Sequence, residues 1–460
     1  MQDDYDVDQH FSGTFNINGE EISGDLIYNK AKGVSLLNLA KQLSEATPIG
    51  KSYGNLDVIT GVLNTGARVT LFHNRCTKNH SQAFQTQQLV FVADYAIWSG
   101  SDVANRKYDE LVCVLENALN WSGLSAIDTS NFSEIKFKGN ETQNVYHWFG
   151  CQVTFSTSLK CELFGAPRKE ESKVIEHLVM HIEATEKQEP SFFIAIRNKI
   201  TALISFAIKD NVNIEEQYLY DYDDGDQIGE HIQYNKYYLY TSEHRLSIHG
   251  GNKWEYNFAL DQLLPDKDIQ KELTLLEPIF NLYLSLFKYK DMPVEMVFLN
   301  IVQALETFHA RFFYEDNKDK YVTSVTERFG SMPCYPDIEK LLLCDTQKNR
   351  NFIILVSRLN DLLIGKYDGL FWDYYAADSG FAQSIVDTRH YYTHYGKSKE
   401  KKALKGDMLY DAISILAILL EYNVCLQLGI DNQVKVREHL RSISEWKQFQ
   451  SCFQKGNEQK

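Results

Sequence analysis

Short apolar runs separated by turn residues fill the first 264 positions of the chain. The runs are rich in Val, Ile, Phe, Tyr and Thr, and Gly, Asn and Asp stand between them, as is typical of β-strands. The pattern predicts strands at 11–17, 22–28, 56–63, 69–72, 87–95, 152–158 and 237–248, and helices at 106–121 and 191–206. A Gly-Ala-Pro followed by a charge run marks a candidate break within this region at 165–172.

From Pro265 onward the spacing of apolar residues becomes helical. Pro293 suits the first turn of a helix, and residues 337–460 contain no proline. Helices are predicted at 268–289, 293–314, 347–364, 379–395, 405–428 and 434–448, and Gly365, Gly396 and Gly429 follow three of them as expected capping residues. The chain is therefore predicted to be an α+β multidomain protein, with a β-rich region at 1–264 and an all-α bundle at 265–460.

Charge is divided unevenly between these two regions. The net charge of the chain is −15 at pH 7. Residues 1–264 hold 22 Lys and Arg against 35 Asp and Glu, whereas residues 265–460 hold 25 against 27. The overall acidity disfavours nonspecific nucleic-acid binding, but a nucleic-acid site in the C-terminal region stays open.

The sequence pattern predicts a cytoplasmic protein. The longest apolar run, 412–420, is about half of the roughly 20 residues that a membrane span needs. The N-terminus is acidic where a secretory signal is basic, and the eight cysteines form no CxxC pair, so neither membrane contact nor disulfides are expected. The sequence lacks P-loop, GxSxG and dinucleotide motifs, so nucleotide, esterase and redox chemistry have no support and no cofactor is expected.

Polar residues that suit phosphate chemistry gather on two predicted helices. Arg389 and His394 lie near the end of the helix at 379–395, and His390 shares the polar face with His394. Glu306 flanks the apolar stripe of the helix at 293–314. A buried carboxylate needs a partner, because burial without one costs several kcal/mol, and Arg389 or His394 would provide it.

A lysine-rich segment follows directly after the helix that carries Arg389 and His394. The segment contains one acidic residue and five basic residues, which are Lys397, Lys399, Lys401, Lys402 and Lys405. Such runs are usually solvated loops, so the position beside the Arg and His is what favours a role. In an otherwise acidic protein, we expect this segment to attract phosphate groups.

The C-terminal bundle resembles the HEPN domain, a helical fold whose active members are ribonucleases with an R-x4–6-H motif. Arg389-x4-His394 matches this motif, with His390 at the place where Asn usually follows the Arg. The stretch 298–309 looks like the HEPN helix that supplies a polar active-site residue, here Glu306. The N-terminal segments 11–15, 24–28 and 36–39 are similar to the N-terminal domain of the ApeA group of bacterial abortive-infection proteins.

This resemblance implies an antiphage endoribonuclease that needs no metal. Arg389 would bind the phosphate, His394 would transfer protons during attack by the 2′-hydroxyl, and Glu306 would orient one of them. His390 and Tyr392 are auxiliary candidates, and the five lysines would bind RNA, with the tRNA anticodon loop as the expected target. Region 1–264 would then sense infection through a phage-encoded trigger protein and restrain the nuclease.

Helix geometry favours a site that is shared between two copies of the chain. Positions five apart on an ideal helix differ by about 140°, so Arg389 and His394 do not share a face. HEPN ribonucleases typically build their site at a dimer interface, and the segment 412–420 is apolar almost all round. We therefore expect a homodimer or a higher oligomer.

Two other interpretations remain open on the sequence alone. The first interpretation is a metal site. One candidate set of ligands is Asp387, His390 and His394, and the other is His73, Cys76 and His80. Neither set has a clear fourth ligand. The second interpretation is a non-catalytic HEPN-type protein that dimerises or binds partners, with the β-rich region as its recognition domain. The intact R-x4-H motif favours the enzyme over the binding protein, and the missing fourth ligand and general-base motif disfavour both metal sites.

Overall fold

The fold is given by a computed structural model of the chain. It describes residues 8–29, 33–42, 54–82, 86–101, 103–128, 136–137, 143–163, 172–228, 231–241, 256–264, 269–288, 292–314, 317–343, 352–365, 380–431, 433–434 and 436–437. A β unit comprises Met1–Ile200, Val212–Arg245 and Leu264–Asp268, and a helical unit comprises Thr201–Asn211, Leu246–Leu263 and Ile269–Lys460. The chain thus contributes two segments before residue 264 to the helical unit, whereas the sequence pattern predicts a single boundary at 264/265.

Most of the β unit is one antiparallel sheet. In chain order its strands and those of two small ribbons are β1 (Gln9–Ile17), β2 (Glu20–Asn29), β3 (Gly33–Gln42), β4 (Leu56–Leu63), β5 (Arg68–Gln82), β6 (Thr86–Ala93), β7 (Tyr95–Ser99), β8 (Tyr108–Glu116), β9 (Ile127–Asp128), β10 (Lys136–Phe137), β11 (Asn144–Trp148), β12 (Cys151–Leu163), β13 (Ser172–Gln188), β14 (Asn213–Tyr220), β15 (Gly225–Ile228), β16 (His231–Tyr234) and β17 (Tyr237–Thr241). The main sheet runs β11–β12–β13–β8–β14–β17–β7–β5–β4–β1–β2–β3–β6, and β5 also pairs with β6. That extra pairing closes β1 to β6 into a six-stranded barrel.

The barrel encloses an apolar core. Inward positions alternate along β1 and β2, which places Phe15, Ile17 and Leu26 inside with no exposed surface. Gly61 of β4 lies opposite Phe15, and a Cβ atom there would be 2.4 Å from the Phe15 ring. The barrel depends on a glycine at this position because the ring fills the space that a side chain would need.

Strand β8 corrects a prediction made from the sequence. The apolar spacing at 106–121 predicts a helix, but residues Tyr108–Glu116 form a strand between β13 and β14, and only Leu119–Ser122 are helical, as α1. Four consecutive residues from Leu111 to Val114 include three that are fully buried. A strand covered on both faces loses the alternation that identifies strands, and its apolar run is then indistinguishable from a helical one.

The other strand predictions are confirmed where the structure describes them. Residues 11–17, 22–28, 56–63 and 69–72 lie in β1, β2, β4 and β5, residues 87–95 are divided between β6 and β7, and 152–158 lie in β12. β17 covers 237–241, and 242–248 lie outside the described residues. β12 and β13 flank the candidate break at 165–172 and pair along their whole facing length, from Leu163 with Ser172 to Cys151 with Ala184.

The helical unit is built from helices that cover most of the predicted positions. They are α2 (Pro190–Ile208), whose last residues join this unit, α3 (Gln270–Lys288), α4 (Val294–Phe312), α5 (Lys318–Phe329), α6 (Tyr335–Leu342), α7 (Leu355–Ile364), α8 (Phe381–His394), α9 (Lys397–Glu400) and α10 (Asp407–Gln427). α5 and α6 have no counterpart among the predicted helices, and most of 434–448 lies outside the described residues. The predicted α+β organisation, a β-rich region followed by a helical bundle, is confirmed.

The helix ends follow the glycine pattern only in part. Gly429 has a positive φ angle of 78°, as a left-handed capping residue requires. Gly365 has φ 67° but ψ −166°, which lies outside the left-handed helical region. At the end of α8 the left-handed position is instead taken by Tyr395, with φ 49° and ψ 34°, and Gly396 has φ −72°. The capping prediction is therefore wrong for Gly396.

Among the described residues, two helices are long and apolar enough to cross a membrane by length and composition. They are α2 and α10, with mean hydropathies of 1.4 and 1.6 and with 56% and 72% of the apolar window buried inside the protein. The expectation of no membrane contact depends on the shortness of the apolar run 412–420. The helix that contains this run, α10, extends well beyond it. Its buried Glu421 accepts a hydrogen bond from Tyr283 at 2.6 Å and pairs with Lys209 at 2.8 Å. These contacts fit a helix in the core of a domain.

Candidate functional site

Helix α4 is the centre of the helical unit, since it packs against α3, α7, α8 and α10. Its buried stripe includes Phe298 and Leu305, and Glu306 lies on the flank of that stripe. α8 packs onto α4 through its own buried face, where the rings of Tyr392 and Phe298 meet edge-on with centroids 6.4 Å apart. Burial of these two apolar faces brings the polar flanks of the helices together.

Arg389 of α8 reaches across to the flank of α4. Its Nη2 atom donates to Oε2 of Glu306 at 2.9 Å and to Oε1 of Gln303 at 3.3 Å. The side chains of Arg389 and Glu306 are 34% and 26% exposed, so the pair lies at the edge of the helix contact and is open to solvent. Of the two partners that the sequence offers for Glu306, the structure selects Arg389. Sequence reasoning misses Gln303, although its position one turn before Glu306 on the same helix is a usable signal.

His394 lies in the last turn of α8 and does not meet Arg389. Its ring is exposed and lies 4.9 Å from the ring of His390, and within the described residues its side chain makes no hydrogen bond or ion pair. α8 remains a regular helix through His394, so the angular separation of about 140° between positions five apart is maintained. In a single chain, the two residues of the motif therefore face different directions.

Contacts with α8 hold the lysine segment in place. Nζ of Lys399 lies 2.5 Å from Oδ1 of Asp387, a residue that is only 5% exposed. The N–H of Leu404 donates to Oγ1 of Thr388 at 3.0 Å, and the Tyr392 hydroxyl donates to the Leu404 carbonyl at 3.1 Å. Burial raises the pKa of Tyr392, so this hydroxyl stays protonated as a donor. The side chains of Lys399 and Tyr392 thus hold the lysine segment against α8.

The remaining lysines of the segment differ in whether their ammonium groups contact other side chains. Lys405 lies 3.3 Å from the Glu400 carboxylate and stands over the Tyr391 ring at 5.3 Å from its centroid. Lys397, Lys401 and Lys402 are exposed. The segment therefore presents three solvated ammonium groups on the side of α8 that follows His394, which suits attraction of an anionic chain.

In the described part of the chain, no group of three His, Cys, Asp or Glu side chains is placed to hold an ion, so Asp387, His390 and His394 do not form a metal site in one chain. Asp387 is engaged by Lys399. His73 faces Asp94 at 3.6 Å, and the Cys76 thiol donates to the Lys78 carbonyl at 3.5 Å. The side chain of His80 lies outside the described residues.

A buried charge network lies one turn beyond Glu306 on α4. His309 is fully buried, and its Nε2 atom lies 3.0 Å from Oδ2 of Asp361 on α7. Arg328 of α5 donates to the other oxygen of Asp361 at 2.8 Å, and Arg358 Nη1 lies 3.3 Å from His309 Nδ1. This network fastens α4, α5 and α7 together. Sequence reasoning misses it, although an Asn-Asp pair inside the apolar pattern of α7 is a signal.

The pKa values within this network follow from burial and charge. Burial lowers the pKa of His309, and its hydrogen bond to Asp361 offsets this only in part. Burial alone would raise the pKa of Asp361, but the hydrogen bond with His309 and the charge of Arg328 hold it below the usual value. A neutral His309 that donates from Nε2 to Asp361 and accepts at Nδ1 from Arg358 satisfies each group.

Comparison with protein families places both regions of the chain. The family model described as ApeA N-terminal domain 1 matches residues 10–275, which is more than half of the chain, and the model described as Apea-like HEPN matches residues 299–434. The chain belongs to the ApeA family. The expected resemblance is thereby confirmed for both regions. No curated protein and no solved structure matches the chain.

Within this ApeA-family protein, the HEPN match contains the whole candidate site. It begins inside α4, so that it includes Glu306, and it continues through α8 and the lysine segment. HEPN domains are associated with ribonucleases, commonly dimerise and bind RNA, and the ApeA family is associated with abortive infection. Family membership therefore indicates a defence function of the nuclease type.

Proposed function

We propose that this ApeA-family protein is a metal-independent endoribonuclease that acts as an antiphage abortive-infection effector. The observation that carries the proposal is the Arg389–Glu306 pair at 2.9 Å, at a solvent-open helix edge. An arginine held there by a carboxylate is oriented in advance for a phosphate, and its guanidinium can donate to two phosphate oxygens. The exposed His394 and the lysine segment on the same helix end add a proton carrier and an electrostatic attraction for RNA.

The proposed reaction is internal attack within the RNA chain. His394 takes the proton from the 2′-hydroxyl, and the 2′-oxygen forms a bond to phosphorus while the bond to the 5′-oxygen breaks. An imidazolium returns a proton to the leaving 5′-oxygen, and Arg389 stabilises the charge that builds up on the phosphate. The products are a 2′,3′-cyclic phosphate and a 5′-hydroxyl, and the reaction needs no metal-activated water.

A homodimer completes the site in this proposal. Arg389 and His394 face different directions in one chain, so two copies are needed to present both groups to one phosphate. The His394 of one copy would act as the base and the His394 of the other as the acid. Light scattering on the active protein should give at least a dimer, whereas a fully active monomer would contradict this arrangement.

Region 1–264 would act as the sensor. It carries a net charge of −13, from 22 basic against 35 acidic residues, while the nuclease region is nearly neutral. A cytoplasmic ribonuclease that cleaves tRNA must be restrained until infection, and a phage-encoded trigger protein that prefers the active arrangement would release it. Cells that express the full chain should accumulate tRNA fragments only after infection, and constant cleavage would contradict the restraint.

The central test is to incubate the purified full chain with total RNA in EDTA, with extract of phage-infected cells added to release the restraint, and to sequence the new ends that extract alone does not produce. Cyclic phosphate and 5′-hydroxyl ends are expected, and both Arg389→Ala and His394→Ala should abolish cleavage. Arg311→Ala, an exposed arginine on the last turn of α4, is the matched control and should cleave normally. Full activity of either motif variant, or 5′-phosphate products, would refute the proposal.

One observation favours a second candidate function, a non-catalytic HEPN-type protein that dimerises or binds partners. In the single chain, Glu306 already neutralises Arg389, and His394 lies apart from it. If RNA remains intact with the wild-type dimer, both in isolation and in extracts of infected cells, this second function is the better account.

A further inference from the structure

Two tyrosines lie close to His394 in the sequence, the half-buried Tyr391 and the exposed Tyr395. Tyr395 is 66% exposed, and its ring lies edge-on to that of Tyr391 with centroids 5.5 Å apart. Within the described residues, the Tyr395 ring contacts just the rings of Tyr391 and Tyr392, and its hydroxyl makes no hydrogen bond. Its outer face is therefore available to a flat partner.

The backbone at Tyr395 is unfavourable for a residue of this kind. Its φ of 49° and ψ of 34° lie in the left-handed region, where a Cβ atom is crowded. Gly396 comes next and adopts φ −72°, so the residue suited to the left-handed position is not the one that occupies it. The chain accepts this conformation while packing little of the ring, which indicates that the exposed ring has a use outside the fold.

One lysine lies over this pair of rings, and three more are exposed in the segment that follows. The Lys405 ammonium lies over the Tyr391 ring at 5.3 Å, and Lys397, Lys401 and Lys402 are exposed in the segment that follows. Aromatic rings beside solvated cations are the features that bind single-stranded nucleic acids, because unpaired bases stack on the rings while phosphates meet the cations. A duplex keeps its base faces covered and cannot use the rings in this way.

We propose that Tyr391 and Tyr395 form a stacking platform for an unpaired base next to the cleaved phosphate. This inference rests on the proposed ribonuclease function and adds the side chains that hold the base. The ring that follows His394 directly in sequence would hold the base while the phosphate lies against the histidine and arginine side chains.

The test measures RNA binding by the full-length chain carrying His394→Ala, so that no cleavage occurs. Fluorescence anisotropy compares an unstructured oligoadenylate with an RNA duplex of the same length. Adding Tyr395→Gly should weaken binding of the single strand about 10-fold, as expected for the loss of one stacked base, and leave duplex binding unchanged. The thermal midpoint should not fall, because glycine suits the left-handed position. Tyr395→Phe should keep the affinity.

Tyr238→Ala is the matched control, since Tyr238 is a 42% exposed tyrosine of the β unit, and it should bind as the parent does. If the parent binds RNA and the wild type cleaves it, but Tyr395→Gly binds the single strand normally, the platform is wrong and the ribonuclease stands. If Tyr395→Gly instead dissociates the dimer, the rings form an interface between copies and the proposal is overturned. A wild type that neither binds nor cleaves RNA, even with extract of phage-infected cells added, overturns both proposals.

Discussion

The buried network around Asp361 should contribute strongly to the stability of the helical unit. Asp361→Asn keeps the shape of the side chain and removes its charge. The Asp361 side chain is 2% exposed and that of Arg328 is 15% exposed, so the arginine would lose its counterion in a site that water hardly reaches. The amide group would also direct a donor towards Arg328 or His309, both of which donate to the carboxylate.

The magnitude follows from the cost of breaking a buried ion pair from one side. Removing one partner of such a pair typically costs about 3–5 kcal/mol, and the slight exposure of Arg328 favours the lower end, about 3 kcal/mol. For a folded unit of roughly 150–250 residues, a loss of this size lowers the midpoint of thermal unfolding by about 6–12 °C. Scanning calorimetry of the full chain should show this shift in one transition while the transition of the β unit is unchanged.

A surface pair provides the matched control for this experiment. Asp337 and Lys340 lie 3.7 Å apart on α6 with side chains 83% and 79% exposed, and Asp337→Asn should leave the midpoint nearly unchanged because exposed pairs contribute little. If Asp361→Asn unfolds within about 2 °C of the control, the network does not stabilise the unit and the reasoning from burial is refuted.

Three further predictions concern the histidine of the network, the proposed site and the barrel. The folded-state pKa of His309 is lowered, so its contribution to stability is complete above about pH 6.5 and is lost as the pH falls below that value. Urea unfolding measures the difference in unfolding free energy between wild type and His309→Gln. Below about pH 6.5 this difference should narrow by up to about 1.4 kcal/mol per pH unit. Glu306→Gln keeps a hydrogen-bond acceptor for Arg389 but removes the charge that orients it, so initial rates of RNA cleavage should fall about 10- to 100-fold. Gly61→Ala forces a methyl group against the Phe15 ring and should destabilise the β unit by about 1–3 kcal/mol in thermal unfolding.

Each of these predictions has an outcome that would contradict it. A constant difference between wild type and His309→Gln from pH 7.5 to 5.5 would show that the histidine titrates alike in the folded and unfolded chains. Normal cleavage by Glu306→Gln would remove the carboxylate from the site. For the barrel, Gly100→Ala is the control because no atom lies within 4 Å of its added Cβ, and equal effects of the two substitutions would mean that the barrel adapts to the methyl group.

Local patterns explain why part of the fold and of the site could be predicted. The apolar stripe of α4 is visible in the spacing of its residues, and this places Glu306 on its flank before any neighbour is known. The same geometry shows that Arg389 and His394 diverge, and the structure keeps them apart. By contrast, β8 is misread as a helix because burial of both faces erases the strand pattern.

The sequence by itself determined which side of an amphipathic helix such as α4 is buried, and it carries the R-x4-H motif that resembles HEPN ribonucleases. Only the tertiary structure decided which partner covers each buried side. It closes the barrel through the β5–β6 pairing, gives Glu306 to Arg389, and brings Asp361 to His309 across 52 positions of sequence. The physical reason is that periodicity reports the solvent exposure of a residue relative to its own helix or strand. The partner of a buried charge depends on how separate elements pack, and that packing depends on side chains distant in the sequence.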